Sequence, residues 1–291
     1  LSPDIVIGMK YLYSNMPYSD VGNYTFDTYL DYVQQGIYLW ENSPYVKNYP
    51  ELYFLNYVLF HRTNDEEIKP CRTYFWEKIK DKVQGKAMVE AALEINHWCA
   101  GEVMYQGTDM RTGSALEIYR SGVGRCGEEA VFVVNVMRSA GIPARPVYVP
   151  RWSHCDDNHA WVEVWCDGDW HYLGACEPEA VLDKGWFTNA ASRAMMIGSR
   201  WYDRAMPDEK VIGKDGMNRI INLLGKYAKT RWITITVEDL DGTPAAGAKV
   251  RAEVMNYGEF SPIAIMEADK NGCISFETGF GSLLICAVYD G

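Results

Sequence analysis

Apolar residues recur every three to four positions through roughly the first hundred residues. Phe26, Leu30, Val33, Ile37 and Trp40 form one such stripe, and Met88, Ala91, Ile95 and Trp98 another. This is the spacing of a helix that buries one face. Tyr49-Pro50-Glu51 reads as a helix start with proline at the first helical position. Ala130, Val133, Val134, Met137 and Ala140 make a further stripe, stopped by Gly141 and Ile142-Pro143, so a helix is predicted to begin at or near Cys126. The period then changes. Pro146 to Val149 reads as a short strand, "HAWVEVW" from His159 as a second, and "WHYL" as its return after a turn at Asp167-Gly168. Helices followed by antiparallel strands predict an α+β fold. Beyond Lys229-Thr230 the segments "WITITV", "AKVRAEV", "CISF" and "LLICAVY" alternate with Asp-Gly and Asn-Gly turns, the pattern of a small all-β sandwich. The expected division is a helical N-terminal region over 1–110 packed on the core, a core over 111–229, and a sandwich over 230–291 that need not be complete.

Composition narrows the function classes. A length of 291 residues suits one large domain, or a larger and a smaller one, and the apolar fraction of 48% supplies a core. The net charge of −11 argues against a nucleic-acid partner, which needs clustered Lys and Arg. No run approaches the roughly 20 apolar residues of a membrane span, and no charged-then-apolar leader opens the chain. The 20 Tyr and 10 Trp are expected mainly in the core, with some lining a groove for sugar or peptide. Cysteines 71, 99, 126, 155, 166, 176, 273 and 286 include no CxxC pair, so neither a zinc knuckle nor a disulfide scaffold is expected.

Candidate chemistry centres on "GRCGEE", residues 124–129. A helix N-terminus offers unpaired N–H groups and about half a positive charge to a thiolate at Cys126. The flanking glycines let backbone and substrate approach. A plainly buried thiol is the alternative. A nucleophile needs a base, and His159, at the start of the next long strand, is placed to serve. "HCDDNH" crowds ligand-type residues without a metal-site spacing, so no metal is expected. His154 and the aspartates are expected to shape a loop, with Asn158 orienting its backbone. Trp152, Trp161, Trp165 and Trp170 cluster along the chain near His159, as packing or as a cleft wall. Arg125 and Glu128 read as an ion pair, a substrate clamp or a solvated surface.

Three separated segments, "GRCGEEAVFVVNVMRSAGIPAR", "NHAWVEVW" and a Trp-bearing return strand, resemble the transglutaminase-like cysteine hydrolase superfamily. The local likeness is greatest to the peptide:N-glycanases, through Gly124 to Glu128, His159 to Val164 and Gly174 to Glu177, and the resemblance covers about residues 100–187. It implies a papain/transglutaminase-like core in which Cys126 attacks an amide or glycosylamide carbon and His159 acts as general base and acid. A thioester forms and is hydrolysed, and no cofactor is needed. The substrate would be a peptide, a protein or a glycopeptide. The family's third residue, an aspartate, falls on Gly174. With a two-residue Asp167-Gly168 loop, His159 lies opposite Cys176, Gly174 shares its face and Glu177 does not. With a three-residue loop, His159 faces Glu177. Glu177, no carboxylate, or another acid such as Asp157 all stay open. An oxyanion hole would combine the Cys126 N–H with Gln106 or Arg111, and Asn158 and Trp161 are further substrate candidates. A catalytically quiet binding protein and a cross-linking transglutaminase are the alternatives. The segment after residue 230 resembles carboxypeptidase regulatory-like and transthyretin-like domains, which favours an extracytoplasmic or secreted location.

Overall fold

The computed structural model describes residues 2–109, 111–205, 207–215 and 218–289. Leu1, Met110 and Gly291, which bound expected segments, lie outside them. The chain divides into two compact units. The first is Leu1–Val147, Ala160–Gly185 and Tyr202–Arg204; the second is Tyr148–His159, Trp186–Trp201 and Ala205–Gly291. The architecture is mixed helix and antiparallel sheet, the α+β class expected.

The first unit is mainly helical: α1 (Pro3–Asn15), α2 (Tyr18–Asn23), α3 (Phe26–Asn42), α4 (Glu51–Phe54) running into a π turn at Leu55–Leu59, α5 (Arg72–Val83) and α6 (Met88–Glu102). After β1 (Met104–Tyr105) come α7 (Ala115–Ser121), β2 (Val123–Gly124), which pairs in parallel with β1, and α8 (Cys126–Ser139). The chain crosses between units inside β3 (Ala144–Val149) and inside β4 (His159–Cys166), and β5 (Asp169–Leu173) pairs antiparallel with β4.

Helix α8 is the axis of this unit. The predicted stripe Ala130, Val133, Val134, Met137 and Ala140 is buried, but so are Val131, Phe132 and Val136. A helix buried all round belongs in the centre of a unit rather than on its surface, and α5, α6 and α7 pack on it. Its C-terminus closes as the sequence requires. Gly141 has φ +82°, its N–H donates to Arg138 O at 3.1 Å, and Ile142 N–H donates to Met137 O at 3.1 Å. This is a Schellman motif, which satisfies carbonyls that would otherwise be orphaned.

Buried arginines tie α8 to the segment after the π turn. Arg72 donates to Asn135 Oδ1, Val58 O and Phe60 O, and Arg138 donates to Phe60 O, Arg62 O and Ala144 O. Each buried guanidinium thereby satisfies carbonyls of an irregular stretch that has no ladder of its own.

In the second unit β6 (Gly198–Trp201) follows a short helix α9 (Thr188–Ala191), and Tyr148 of β3 pairs with Gly198. Strands β7 (Lys210–Asp215) and β8 (Asn218–Asn222) complete the order β6-β8-β7. The remaining strands form two small antiparallel sheets. One pairs β9 (Thr230–Thr236) with β12 (Cys273–Gly279); the other runs β11 (Glu259–Glu267), β10 (Lys249–Asn256), β13 (Leu284–Val288). Alternating residues of both sheets, including Val250, Ala252, Val254, Ile263, Ile274 and Phe276, share one core.

Candidate active site

Cys126 is the first residue of α8 and is half-buried. The turn that places it there is built by its neighbours. Arg125 N–H donates to Glu128 Oε2 at 3.2 Å, half of a capping box. The same Glu128 carboxylate accepts from Thr108 Oγ1 at 2.5 Å and Gly113 N–H at 3.2 Å. The Arg125 guanidinium donates to Thr112 Oγ1 at 2.8 Å and to the carbonyls of Asp109 and Arg111 at 3.3 Å. Arg125 and Glu128 therefore staple the 108–113 loop to the helix start.

The thiol of Cys126 receives the backbone N–H groups of Gly127 and of Ala160, the residue that follows His159 in β4. These donors and the Arg125 charge favour a thiolate, but burial outweighs them, and the Glu129 charge adds to it. The thiol is pushed above its ordinary value, so the helix start does not by itself ionise it. The expected resting thiolate is corrected on this point: desolvation of the charged form prevails.

His159 is buried and opens β4, with its ring 4.7 Å from that of Trp186 and 5.0 Å from that of Phe187. Burial holds its imidazolium down to about 4, against the opposing charge of Asp157. The loop before it is staked by one side chain of the β10 end. Asn256 Nδ2 donates to the carbonyls of Trp152, Cys155 and Asp157 at 3.0, 3.1 and 3.2 Å, and its Oδ1 accepts from Asp157 N–H at 3.3 Å. Asp157 is held at φ 104°, a conformation that few non-glycine residues adopt. Asn256→Ala is therefore expected to raise amide exchange over 152–157 by about 100-fold, the loss of about 3 kcal/mol of local protection. With the ring hydrated, the His159 titration should move up from about 4 toward its ordinary range, near 6.5. Hydrogen-exchange mass spectrometry and imidazole NMR titration would read both, and an unmoved titration would detach Asn256 from the base.

The hairpin fixes the register that the sequence leaves open. Cys166 pairs with Asp169, and Asp167 and Gly168 both have positive φ, 52° and 91°, as a two-residue type I′ turn requires. In this register a continuing strand would leave Glu177 on the far face. The strand does not continue. Its ladder with β4 ends at Val162 opposite Leu173, Cys176 turns to φ 57°, and Glu177 N–H returns to Gly174 O at 3.1 Å. Asn96 of α6 holds both sides of this turn, donating to Gly174 O at 2.9 Å and accepting from Cys176 N–H at 3.0 Å. Glu177 thus folds over Gly174. A Cβ on residue 174 would lie 2.8 Å from Glu177 Cβ, 3.1 Å from its Cδ and nearer still to Oε2. The Glu177 carboxylate occupies the space that a side chain at 174 would take.

One turn along α8 from Cys126, Glu129 is 3% exposed. Burial first, and then the charge of Glu177, push its carboxyl up to about 8. Sequence reasoning singled out neither Glu129 nor Asn96, Asn256, Trp186 and Phe187. Their identity carries no motif, and their roles appear only when the chain is folded.

The other candidates separate. Gln106 is exposed, and its backbone N–H donates to Gly124 O at 2.9 Å, which sets it beside the strand leading into Cys126. Arg111 is exposed and its guanidinium pairs with Asp109, Nε to Oδ2 at 2.9 Å. Asn158 is exposed, with its N–H on Asp157 Oδ1 at 2.8 Å. Trp161 is fully buried, so it packs the core rather than presenting a face to a ligand. Trp165 and Trp170 pack with Tyr53, and Arg145 lies 4.0 Å from the centre of the Trp170 ring, so they too belong to a packed cluster. The eight cysteines are free thiols, and among the described residues no three His, Cys, Asp or Glu side chains converge as metal ligands would.

Residues 77–175 match the family model of the transglutaminase-like superfamily. The matched stretch contains Cys126, His159 and Gly174 and stops short of Glu177. No curated protein matches the sequence. Among solved structures, a candidate cysteine protease from Cytophaga hutchinsonii is 17% identical over 52% of this chain and 57% of its own, with a TM-score of 0.30. A candidate protease from Parabacteroides distasonis is 12% identical over 74% of this chain and 37% of its own, at 0.32. Red sea bream transglutaminase is 12% identical over 99% of this chain and 59% of its own, at 0.34. The chain thus spans between 37% and 59% of the length of these structures. Overlays this loose carry nothing about the site.

Proposed function

We propose that this protein is a cysteine-nucleophile hydrolase of amide bonds. The observation that carries the reading is the placement of Cys126. A half-buried thiol begins α8, receives the N–H of the residue after His159, and lies inside the stretch that matches the transglutaminase-like superfamily. The substrate class proposed is a peptide or the glycosylated Asn amide of a glycopeptide.

The resting pair is a neutral thiol and a neutral imidazole, so activation accompanies attack. His159 takes the Sγ proton as the S–C bond forms, then gives it to the leaving nitrogen as the C–N bond breaks. In the second half His159 takes a proton from water, the new C–O bond displaces Sγ, and the proton returns to sulfur. Glu177 has the orienting carboxylate's role, and the Cys126 N–H with a donor from the 106–113 loop has the oxyanion's. Water is favoured over an amine as acyl acceptor, because no amine-binding feature can be named near the thiol.

Two measurements test the reading. Iodoacetamide labelling of Cys126, followed by peptide mass spectrometry, is expected to be slow at pH 6 and to rise at higher pH than for an ordinary thiol, because burial holds its thiolate back. Fast labelling at pH 6 would restore a resting thiolate. Incubation with fluorogenic peptides and with a glycopeptide should give turnover and an acyl adduct on Cys126, both lost in Cys126→Ala. A folded protein that gives neither adduct nor turnover would instead be the catalytically quiet binding protein.

A further inference from the structure

A groove of about 1010 Å³ lies wholly within the second unit, lined by the 153–154 loop, the turn after β12 and residues of β10, β11 and β13. Its apolar lining is unusually open: Met255 is 52% exposed, Phe260 51%, Phe280 67% and Leu284 40%. Apolar side chains collected in this way on one concavity mark a binding surface more often than scattered ones do.

Charge distinguishes the groove further. Arg193 and Lys229 line it, both are exposed, and neither has an ion-pair partner among the described residues. A third cation, Arg231, lies 5.7 Å from the centre of the Phe280 ring and donates to Gly281 O at 2.6 Å, which fixes the loop that carries Phe280. The acid in the lining, Glu253, is buried and is engaged by Arg251 Nε at 3.0 Å. In a chain of net charge −11, unpaired cations held beside exposed phenylalanines form a local inversion of sign.

We propose that this groove binds an acidic peptide segment, with its carboxylates on Arg193 and Lys229 and its apolar side chains on Phe260, Phe280, Met255 and Leu284. A peptide is favoured over an acidic glycan because Met255, Phe260, Phe280 and Leu284 present large exposed apolar side chains, which a peptide's own apolar side chains can cover and a glycan lacks the means to match. The inference rests on the proposed hydrolase reading only in taking such a segment to be substrate; binding itself needs no catalysis.

The test uses the full chain carrying Cys126→Ala and a fluorescein-labelled octapeptide alternating glutamate with leucine and phenylalanine, followed by fluorescence anisotropy. Saturable binding is expected, weakened about tenfold or more by Arg193→Glu with Lys229→Glu, by glutamine for glutamate in the peptide, and by Phe280→Ala. Raising salt from about 50 to about 300 mM should weaken it as well. The far-UV spectrum and melting midpoint of each variant verify that it is folded. No saturable binding, binding indifferent to the double charge reversal in a folded protein, or preference for an oligogalacturonate over the peptide would each overturn the proposal. Peptide binding with no turnover by the unmutated protein would sink the hydrolase reading and leave this one standing. Turnover with no peptide binding at the groove would do the reverse.

Discussion

Glu177→Ala is expected to lower kcat by about 10²- to 10⁴-fold with little change in KM, and Gly174→Asp in the same background to restore most of it. Removing the orienting carboxylate of a serine triad costs about 10⁴-fold, because the imidazole loses its tautomer and the support of its charged form. That role is the one proposed for Glu177, by substitution of space. Its carboxylate fills the volume next to Gly174 that a residue-174 side chain would occupy, and Gly174 is where the resembling family carries its aspartate. An aspartate at 174 would thus bring a carboxylate back to nearly the same place once Glu177 has been cut short. Gly174→Ala alone should be as damaging as Glu177→Ala. The new Cβ would stand 2.8 Å from Glu177 Cβ, closer than real Cβ atoms come, and 3.1 Å from its Cδ, so the glutamate must move aside. Three kcat values and three KM values decide the matter. Full activity in Glu177→Ala would remove the carboxylate from the mechanism. A double variant as inactive as the single one would show that position 174 cannot replace it.

The sequence announced the α8 boundaries because both ends are made by local chemistry. Glu128 caps the start from three residues inside, and Gly141 with Ile142 closes the end. The hairpin was legible in kind but not in register. An Asp-Gly pair permits both loop lengths, and the difference turns on whether Asp167 adopts positive φ, as it does at 52°. The return of Glu177 was illegible for a deeper reason. Period-two arithmetic assumes that a strand continues, and nothing in "LGACEP" says that Cys176 leaves it for the left-handed region. Asn96, which pins that turn, comes from a helix about 80 residues earlier in the chain. Asn256 is similarly remote from the loop it stakes, with about 100 residues between them. Buried polar residues of this kind read as neutral in a sequence because their partners are tertiary. The ionisation state of Cys126 is illegible for the same cause: the helix start can be read from local sequence, and the depth of burial that pushes the thiol up cannot.

Depth of burial also sets the second large effect. Glu129→Gln is expected to leave stability nearly unchanged at pH 5 and to raise it by several kcal/mol at pH 9. In the unfolded chain the Glu129 carboxyl ionises near its ordinary value of 4.5; in the folded protein burial and the neighbouring Glu177 charge hold it protonated up to about 8. Between those limits the native state binds the extra proton, so raising the pH destabilises it. The stability present below about 4.5 is lost progressively and is gone by about pH 8, at no more than about 1.4 kcal/mol per pH unit and about 5 kcal/mol in all. Glutamine keeps the shape without the ionisation and should escape the loss. Urea titrations of both proteins from pH 5 to 9 would show curves that part as the pH rises, and parallel curves would refute the buried acid. The same proton bears on the site. While Glu129 is neutral, Cys126 and Cys176 are spared a nearby anion that would push their thiols higher still. Ionising Glu129 above about pH 8 removes that relief, so activity should fall on the alkaline side sooner in the unmutated protein than in Glu129→Gln.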